Sequence, residues 1–204
     1  MVWIDCEMTG LNLNTDALIE VAVLVTDSNL NVLGDGVDVI ITPSQEALGQ
    51  MSEVVIAMHS SSGLLAELSS GTTMAEAEEQ IMSYVRTYVP EPDKAPLAGN
   101  SVGMDRAFLA RDMPQLESYL HYRNIDVSSI KELTRRWYPK AFFAAPEKHG
   151  NHRALGDIKD SITELRYYRE AIFAAPPGPG KDESKKIAAR YASFTAESPT
   201  PPSA

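Results

Sequence analysis

The sequence predicts an α/β fold in which helices flank a mixed central sheet. Three apolar segments with strand character fall within the first 42 residues, and after residue 73 short apolar segments alternate with stretches of helical periodicity. Consecutive strands followed by a strand–helix–strand–helix order are typical of this class, and the opening strands should form its antiparallel side.

The first three segments are VWIDCEM, ALIEVAVLVTD and GVDVIIT. Each is rich in β-branched and other apolar residues, which favours strands. The SNLN stretch at 28–31 predicts a turn between the second and third segments. We therefore expect a three-strand meander.

A helix is predicted to begin after Thr73. Thr73 and Glu76 have the spacing of a capping box, which marks a helix N-terminus. The apolar residues that follow recur with a period near 3.6 and share one face, and they are Ala77, Ile81, Tyr84, Val85 and Tyr88.

Strands and helices alternate in the second half of the chain. The PLAG segment predicts a strand before a helix at 102–112, with Ser101 as its N-cap. IDV at 125–127 precedes a helix in which Ser129 and Glu132 have capping-box spacing. A final helix is predicted over 153–173.

Length and proline content divide the chain into a domain at 1–175 and a tail at 176–204. A chain of 204 residues has room for one domain of about 100–200 residues. The tail holds six of the 13 prolines and is expected to be mostly disordered. A short helix over KKIAARYASF is an alternative, although a solvated tail is favoured.

Charge and cysteine content exclude several classes of protein. A formal net charge of -10 argues against a protein that holds long nucleic acid mainly through phosphate contacts. Cys6 is the single cysteine, which excludes a disulfide framework and a cysteine-rich zinc site and is typical of a reducing compartment. With no run of about 18 apolar residues, we expect a cytoplasmic protein without a membrane partner.

Asp5 and Glu7 are predicted to lie on one face of the first strand, about 6.5–7 Å apart, with Cys6 on the other face. Two carboxylates on an apolar strand are best tolerated with a cation between them, and oxygen ligands favour Mg²⁺ or Mn²⁺. The alternative is a strand end that dips into solvent. For this short motif taken alone, the alternative is favoured.

Two later acids and one histidine could join that pair. Asp105 lies in the first turn of a predicted helix, where the helix dipole alone would explain an acid. Asp157 is flanked by apolar residues near the start of the last helix. His152 and Asp157 would point about 140° apart on a continuous helix, so they can converge only if His152 precedes the helix, with Gly150 and Asn151 as loop and cap.

These five residues together predict a phosphodiester hydrolase. Acids that hold two divalent ions about 3.5–4 Å apart can stabilise both oxygens of an in-line phosphoryl displacement. A histidine that titrates near neutrality can take the proton of the attacking water.

The segments WIDCEMTGL, NSVGMDRAFL and HRALGDI resemble, in order, the three motifs of the DEDD exonuclease superfamily in its histidine subgroup. From residue 2 to 173, including HSSSGL, HYRNIDVSSIKEL and RRWYPKA, the chain resembles the oligoribonuclease family. The resemblance implies a ribonuclease H-like mixed sheet. It also implies two Mg²⁺ or Mn²⁺ ions held by acids, with His152 as general base; those acids would be Asp5, Glu7, Asp105 and Asp157.

The resemblance further implies substrate contacts. Leu11 would be wedged between two bases, with Ser101 and His59 lining the substrate. A homodimer would place further residues on the terminal base and the 5′ phosphate of the opposite site, and these are Tyr122, Arg123 and Ser128. One position departs from the family, because Val54 stands where relatives often have a tryptophan.

The leading hypothesis is a metal-dependent 3′-to-5′ exoribonuclease that degrades very short RNA oligonucleotides, especially dinucleotides, to mononucleotides. One alternative is a related exonuclease acting on longer DNA or RNA 3′ ends. Another is a catalytically silent exonuclease-like binding module. An intact set of five clustered polar groups disfavours the silent module, because such groups cost folding free energy.

Overall fold

The computed structural model describes residues 1–148 and 152–191. A five-stranded sheet with the order β3-β2-β1-β4-β5 forms its centre. The strands are β1 (Val2–Met8), β2 (Leu18–Thr26), β3 (Val32–Ile40), β4 (Pro96–Gly99) and β5 (His121–Asp126). β1, β2 and β3 pair antiparallel, whereas β4 pairs parallel with both β1 and β5. The predicted mixed sheet, including its meander, is confirmed.

Helices pack on the sheet. They are α1 (Gln45–Gly49), α2 (Glu53–Ser61), α3 (Leu64–Glu67), α4 (Met74–Tyr88), α5 (Gly103–Asp112), α6 (Pro114–Tyr119), α7 (Val127–Trp137), α8 (Pro139–Phe143), α9 (Ala154–Ala171) and α10 (Lys181–Tyr191). The sequence did not predict α1 to α3, α6 or α8, which are all short.

The core is divided between the two faces of the sheet. Val2, Ile4 and Cys6 of β1 lie in one apolar cluster, together with residues of α4, α5 and α6. Trp3 lies in the other cluster, which residues of α9 complete. Because side chains of a strand alternate between faces, Asp5 and Glu7 share the face of Trp3 and α9.

The start of α4 agrees with the sequence. The Thr73 side chain accepts a hydrogen bond from the Glu76 backbone N–H, and the Glu76 carboxylate accepts one from the Thr73 N–H. The predicted capping box is therefore confirmed.

The predicted caps of α5 and α7 are wrong. Val102 is the N-cap of α5, and Ser101 precedes it in a left-handed backbone conformation with φ 56°. Asp126 caps α7 and accepts from the Ser128 N–H, so the helix begins before Ser129. The reason is that β5 ends at Asp126, which brings its carboxylate to the first free N–H groups of the helix.

Part of the tail is helical. α10 overlaps the segment for which a short helix was the alternative to a solvated tail, and none of its residues is buried. Residues 192–204 and the predicted loop at 150–151 lie outside the described residues. Among the helices within 1–148 and 152–191, none has the length and apolar character needed to cross a membrane.

Candidate active site

The end of β1 presents two carboxylates on the face covered by α9. Glu7 is buried and Asp5 is half-buried, while the Cys6 side chain between them lies in the opposite core cluster. The strand thus places both acids beside the helix that follows His152.

Asp105 reaches β1 from the first turn of α5. Its Oδ1 accepts a hydrogen bond from the Cys6 backbone N–H at 3.1 Å. Burial raises the pKa of Asp105 to about 6, although this hydrogen bond and others act in the opposite direction. The contact fixes the carboxylate of α5 against the β1 backbone at the residue that separates Asp5 from Glu7.

His152 and Asp157 converge as the sequence requires. α9 begins at Ala154, so His152 precedes the helix, and its backbone adopts a left-handed conformation with φ 57°. One potential ligand atom from each of Glu7, His152 and Asp157 lies within 4.8 Å of the others.

Burial and neighbouring negative charge raise the pKa values of the acids. Burial, together with the charges of Asp105, Asp157 and Glu7, raises the pKa of Asp5 to about 9. Burial and the charge of Glu20 raise the pKa of Glu7 to about 8. Asp157 has a raised pKa mainly because of burial, and His152 opposes that shift. The charges of Asp105 and Asp157 thus act on both acids of β1.

This donor set fits a divalent cation. Several carboxylates held at short range disfavour full ionisation, and a bound cation would relieve their repulsion. Carboxylate oxygens are ligands that hard cations prefer. The residues present thus fit the divalent ions that the family resemblance implies.

Glu20 and Arg153 adjoin the acids and were missed by the sequence analysis. Glu20 is fully buried in β2, opposite Glu7 in the strand register. Arg153 Nε donates to Glu20 Oε1 at 2.7 Å, and the Ala154 N–H donates to Glu20 Oε2 at 3.1 Å. The available signal was a lone acid within the apolar segment LIEVAVLV, because buried acids are rarely unpaired.

His59 lies behind the site. Its ring is fully buried, with Nε2 2.9 Å from the Met8 carbonyl oxygen and Nδ1 3.9 Å from Glu7 Oε2. Within the part of the chain that the structure describes, Nδ1 has no hydrogen-bond partner. The ring thus contacts the strand that carries Glu7, and its substrate contact stays a prediction.

Leu11 is 67% exposed in the loop that follows β1. Arg111 of α5 donates to the carbonyl oxygens of Leu13 and Asp16, and Asp16 accepts from the Asn12 N–H at 2.8 Å. The loop that carries Leu11 is therefore tied to the helix that carries Asp105.

The remaining substrate candidates form two groups. Ser128 bonds within its own chain, to Asp126 and to the Ser101 hydroxyl at 3.1 Å. Tyr122 and Arg123 are exposed, and the Arg123 guanidinium carbon lies 5.4 Å from the centre of the Tyr122 ring.

Val54, the position that departs from the family pattern, is 78% exposed on α2. Valine lacks the aromatic ring of the family tryptophan, so this side chain cannot stack on a base.

Comparisons with known proteins identify the family of the chain. The exonuclease family model RNase_T matches residues 2–165. An oligoribonuclease of Streptomyces griseus is 69% identical over 190 residues, which are 93% of this chain and 94% of that protein. An oligoribonuclease of Cutibacterium acnes is 62% identical over 194 residues, or 95% and 96% of the two chains.

Solved structures show the same fold. Escherichia coli exonuclease I in a zinc-bound complex with single-stranded DNA aligns with a TM-score of 0.65 at 17% identity. The alignment covers 82% of this chain and 40% of the exonuclease I chain. The likeness shows the expected ribonuclease H-like fold alone, whereas the sequence identities show the family. The chain belongs to the oligoribonuclease family of exonucleases.

Proposed function

We propose that this chain is a 3′-to-5′ exoribonuclease that hydrolyses very short RNA, especially dinucleotides, to mononucleotides with two Mg²⁺ or Mn²⁺ ions. The observation that carries the proposal is the convergence of acids from β1, α5 and α9 beside one histidine. Burial and the charges of the other acids raise the pKa of Asp5 to about 9. Family membership supports nuclease chemistry at this convergence.

Four acids would hold the ions, and they are Asp5, Glu7, Asp105 and Asp157. When bound, divalent ions supply positive charge that stabilises the attacking and leaving oxygens of phosphodiester hydrolysis. The chain contributes a fixed arrangement of these acids, because β1 is a central strand and Asp105 is bonded to its backbone.

His152 is proposed as the general base. Its side chain is exposed, so water can reach the imidazole, and it lies close to Glu7 and Asp157. In its neutral form the ring accepts the proton of the attacking water, while the neighbouring acids stabilise the resulting positive charge.

Leu11, His59 and Ser101 are proposed to position the substrate. The exposed Leu11 side chain provides an apolar surface at the edge of the site, which suits contact between two bases. Ser101 lies just after β4, where its hydroxyl can face the substrate.

We propose a homodimer in which each copy supplies Tyr122, Arg123 and Ser128 to the other site. Support comes from large apolar side chains exposed on α7 and α8, namely Leu133, Trp137 and Phe143, which a second copy would cover. A guanidinium is well suited to cap a phosphate. The single cysteine supports a cytoplasmic location for the assembly.

The test is hydrolysis of 5′-labelled RNAs from two to about thirty nucleotides, with product lengths followed over time in Mg²⁺. We expect stepwise 3′ shortening and the fastest turnover on the dinucleotide. An Asp157→Asn variant should be inactive. An Arg166→Met variant, altered at the far end of α9, should match the wild type. Faster turnover of the longest RNAs would favour an exonuclease for long ends, and no hydrolysis of any RNA would overturn the proposal.

A further inference from the structure

We propose that Arg153 is a positioning residue for His152. Its guanidinium bridges Glu20 of β2 and Glu67 of α3 and thereby fixes the turn that carries the imidazole. The inference rests on the proposed function, because it assigns His152 as the base. It assigns no contact between Arg153 and the substrate.

The backbone at His152 needs external support. Its φ of 57° lies in the left-handed region, which costs free energy for a residue with a side chain. Such conformations persist where the surrounding structure determines them. The neighbouring residue is therefore a natural place to look for the restraint.

Arg153 is held on both sides. Its Nε donates to Glu20 Oε1 at 2.7 Å, and its Nη1 donates to Glu67 Oε1 at 2.9 Å. Glu20 is fully buried, whereas the Glu67 side chain is 44% exposed. One buried and one exposed carboxylate thus clamp a single planar guanidinium, which a lysine could not reproduce.

Glu20 also restrains the next residue. Its second oxygen accepts the Ala154 N–H at 3.1 Å, at the first residue of α9. An acid at a helix N-terminus is favoured by the helix dipole. Two consecutive residues after His152 are therefore bound to one carboxylate of β2. These bonds restrain the backbone that leads from His152 into α9.

A purely structural role would also explain the bridge, because Arg153 compensates the charge of the buried Glu20. The two explanations differ in what they predict once the imidazole is removed. A positioning residue loses its effect on turnover when His152 is absent, whereas a structural residue keeps it.

The experiment is a double-mutant cycle on the full-length, metal-loaded enzyme with a dinucleotide substrate. Arg153→Met in the wild type should lower kcat by about 10- to 100-fold, because misplacing a general base loses part of its contribution of about 10²–10⁴-fold. KM should change by less than about twofold. In the His152→Ala background the same substitution should change kcat by less than about twofold. Arg166→Met, which removes an arginine contact to Leu30 at the other end of α9, is the matched control and should be silent in both backgrounds.

Equal losses of kcat in both backgrounds would overturn the positioning role while leaving the proposed function intact. Full activity of His152→Ala would instead refute the base assignment itself. If Arg153→Met does not fold, Glu67→Gln takes its place, since it weakens the exposed half of the bridge only. It should lower kcat by about threefold in the wild type and leave kcat unchanged without His152.

Discussion

Glu7 of β1 and Glu20 of β2 are direct partners in the antiparallel register, so two acids face each other beside the candidate metal site. Like charges directly opposite each other destabilise a sheet. Burial and the charge of Glu20 raise the pKa of Glu7 to about 8, while Arg153 acts to lower it. The arrangement places one acid of the pair at the site and binds the other to the arginine that follows His152.

Stability in the absence of metal should fall as pH rises. Asp5 and Glu7 have pKa values of about 9 and about 8 in the folded chain, against about 3.9 and 4.3 in an unfolded one. The folded state therefore keeps protons that the unfolded state releases, and the stabilisation present below about pH 4 is lost towards pH 8–9. Each group can contribute up to about 1.4 kcal/mol per pH unit to the free energy of unfolding.

Urea unfolding in a chelator between about pH 6 and 8 measures this slope. A variant with Asp5→Asn and Glu7→Gln is the control and should show a flatter dependence. An unchanged slope in that variant would assign the pH dependence to other groups.

Substitution of any one of the four acids should abolish nearly all hydrolysis without unfolding the protein. We expect the turnover of each variant to fall by more than about 100-fold. That is the upper range of the loss seen when a residue that only orients a metal ligand is replaced. Removing Asp5, Glu7 or Asp157 also relieves repulsion, so thermal stability in a chelator should be equal or higher. Asp105→Ala should lower thermal stability instead, because the buried Cys6 N–H loses its acceptor, although the protein should remain folded. Calorimetric Mn²⁺ titration and turnover check this for Asp5→Ala, Glu7→Ala, Asp105→Ala and Asp157→Ala. Normal hydrolysis by Asp157→Ala would refute the site.

His152→Ala should separate proton transfer from metal binding. Turnover should fall by about 10²–10⁴-fold, the usual contribution of general base catalysis. Mn²⁺ affinity should be retained, because the four acids are unchanged. A loss of Mn²⁺ binding in the calorimeter would instead make His152 a metal ligand, which its proximity to Glu7 and Asp157 also permits.

Mixed dimers should restore activity to two inactive variants. Arg123→Ala removes the proposed phosphate contact supplied to the other copy, and His152→Ala removes the base. In a random equimolar mixture about half of the dimers are mixed, and each has one intact site, so activity should reach about a quarter of the wild type. Sedimentation of a fully active monomer would contradict the shared site.

Catalytic efficiency should fall steeply from two nucleotides upward. Residues 1–175 carry 14 basic and 25 acidic residues, a net charge of -11, and two divalent ions would still leave about -7. Such a background repels a long polyanion, whereas the few charges of a dinucleotide can be matched locally by the metal ions or Arg123. The slope of log efficiency against log salt should therefore be shallow, and a steep slope would indicate many phosphate contacts.

The sequence by itself determined features that depend on local geometry. Strand alternation placed Asp5 and Glu7 on one face, and the capping box at Thr73 and Glu76 located a helix start. The angle between His152 and Asp157 required a break before the last helix. Each follows from the torsions of a single segment, which is why a spacing was enough to predict it.

Only the tertiary structure decided what surrounds these residues. Asp105 accepts from the backbone of Cys6, 99 residues away, and Arg153 binds Glu20, 133 residues away. The burial of His59 behind Glu7 and the capping of α7 by Asp126 were likewise not predicted. These contacts depend on how the strands and helices pack. A buried charge needs a partner, and the packing determines which groups lie close enough to serve as one. No local pattern in the sequence contains that information.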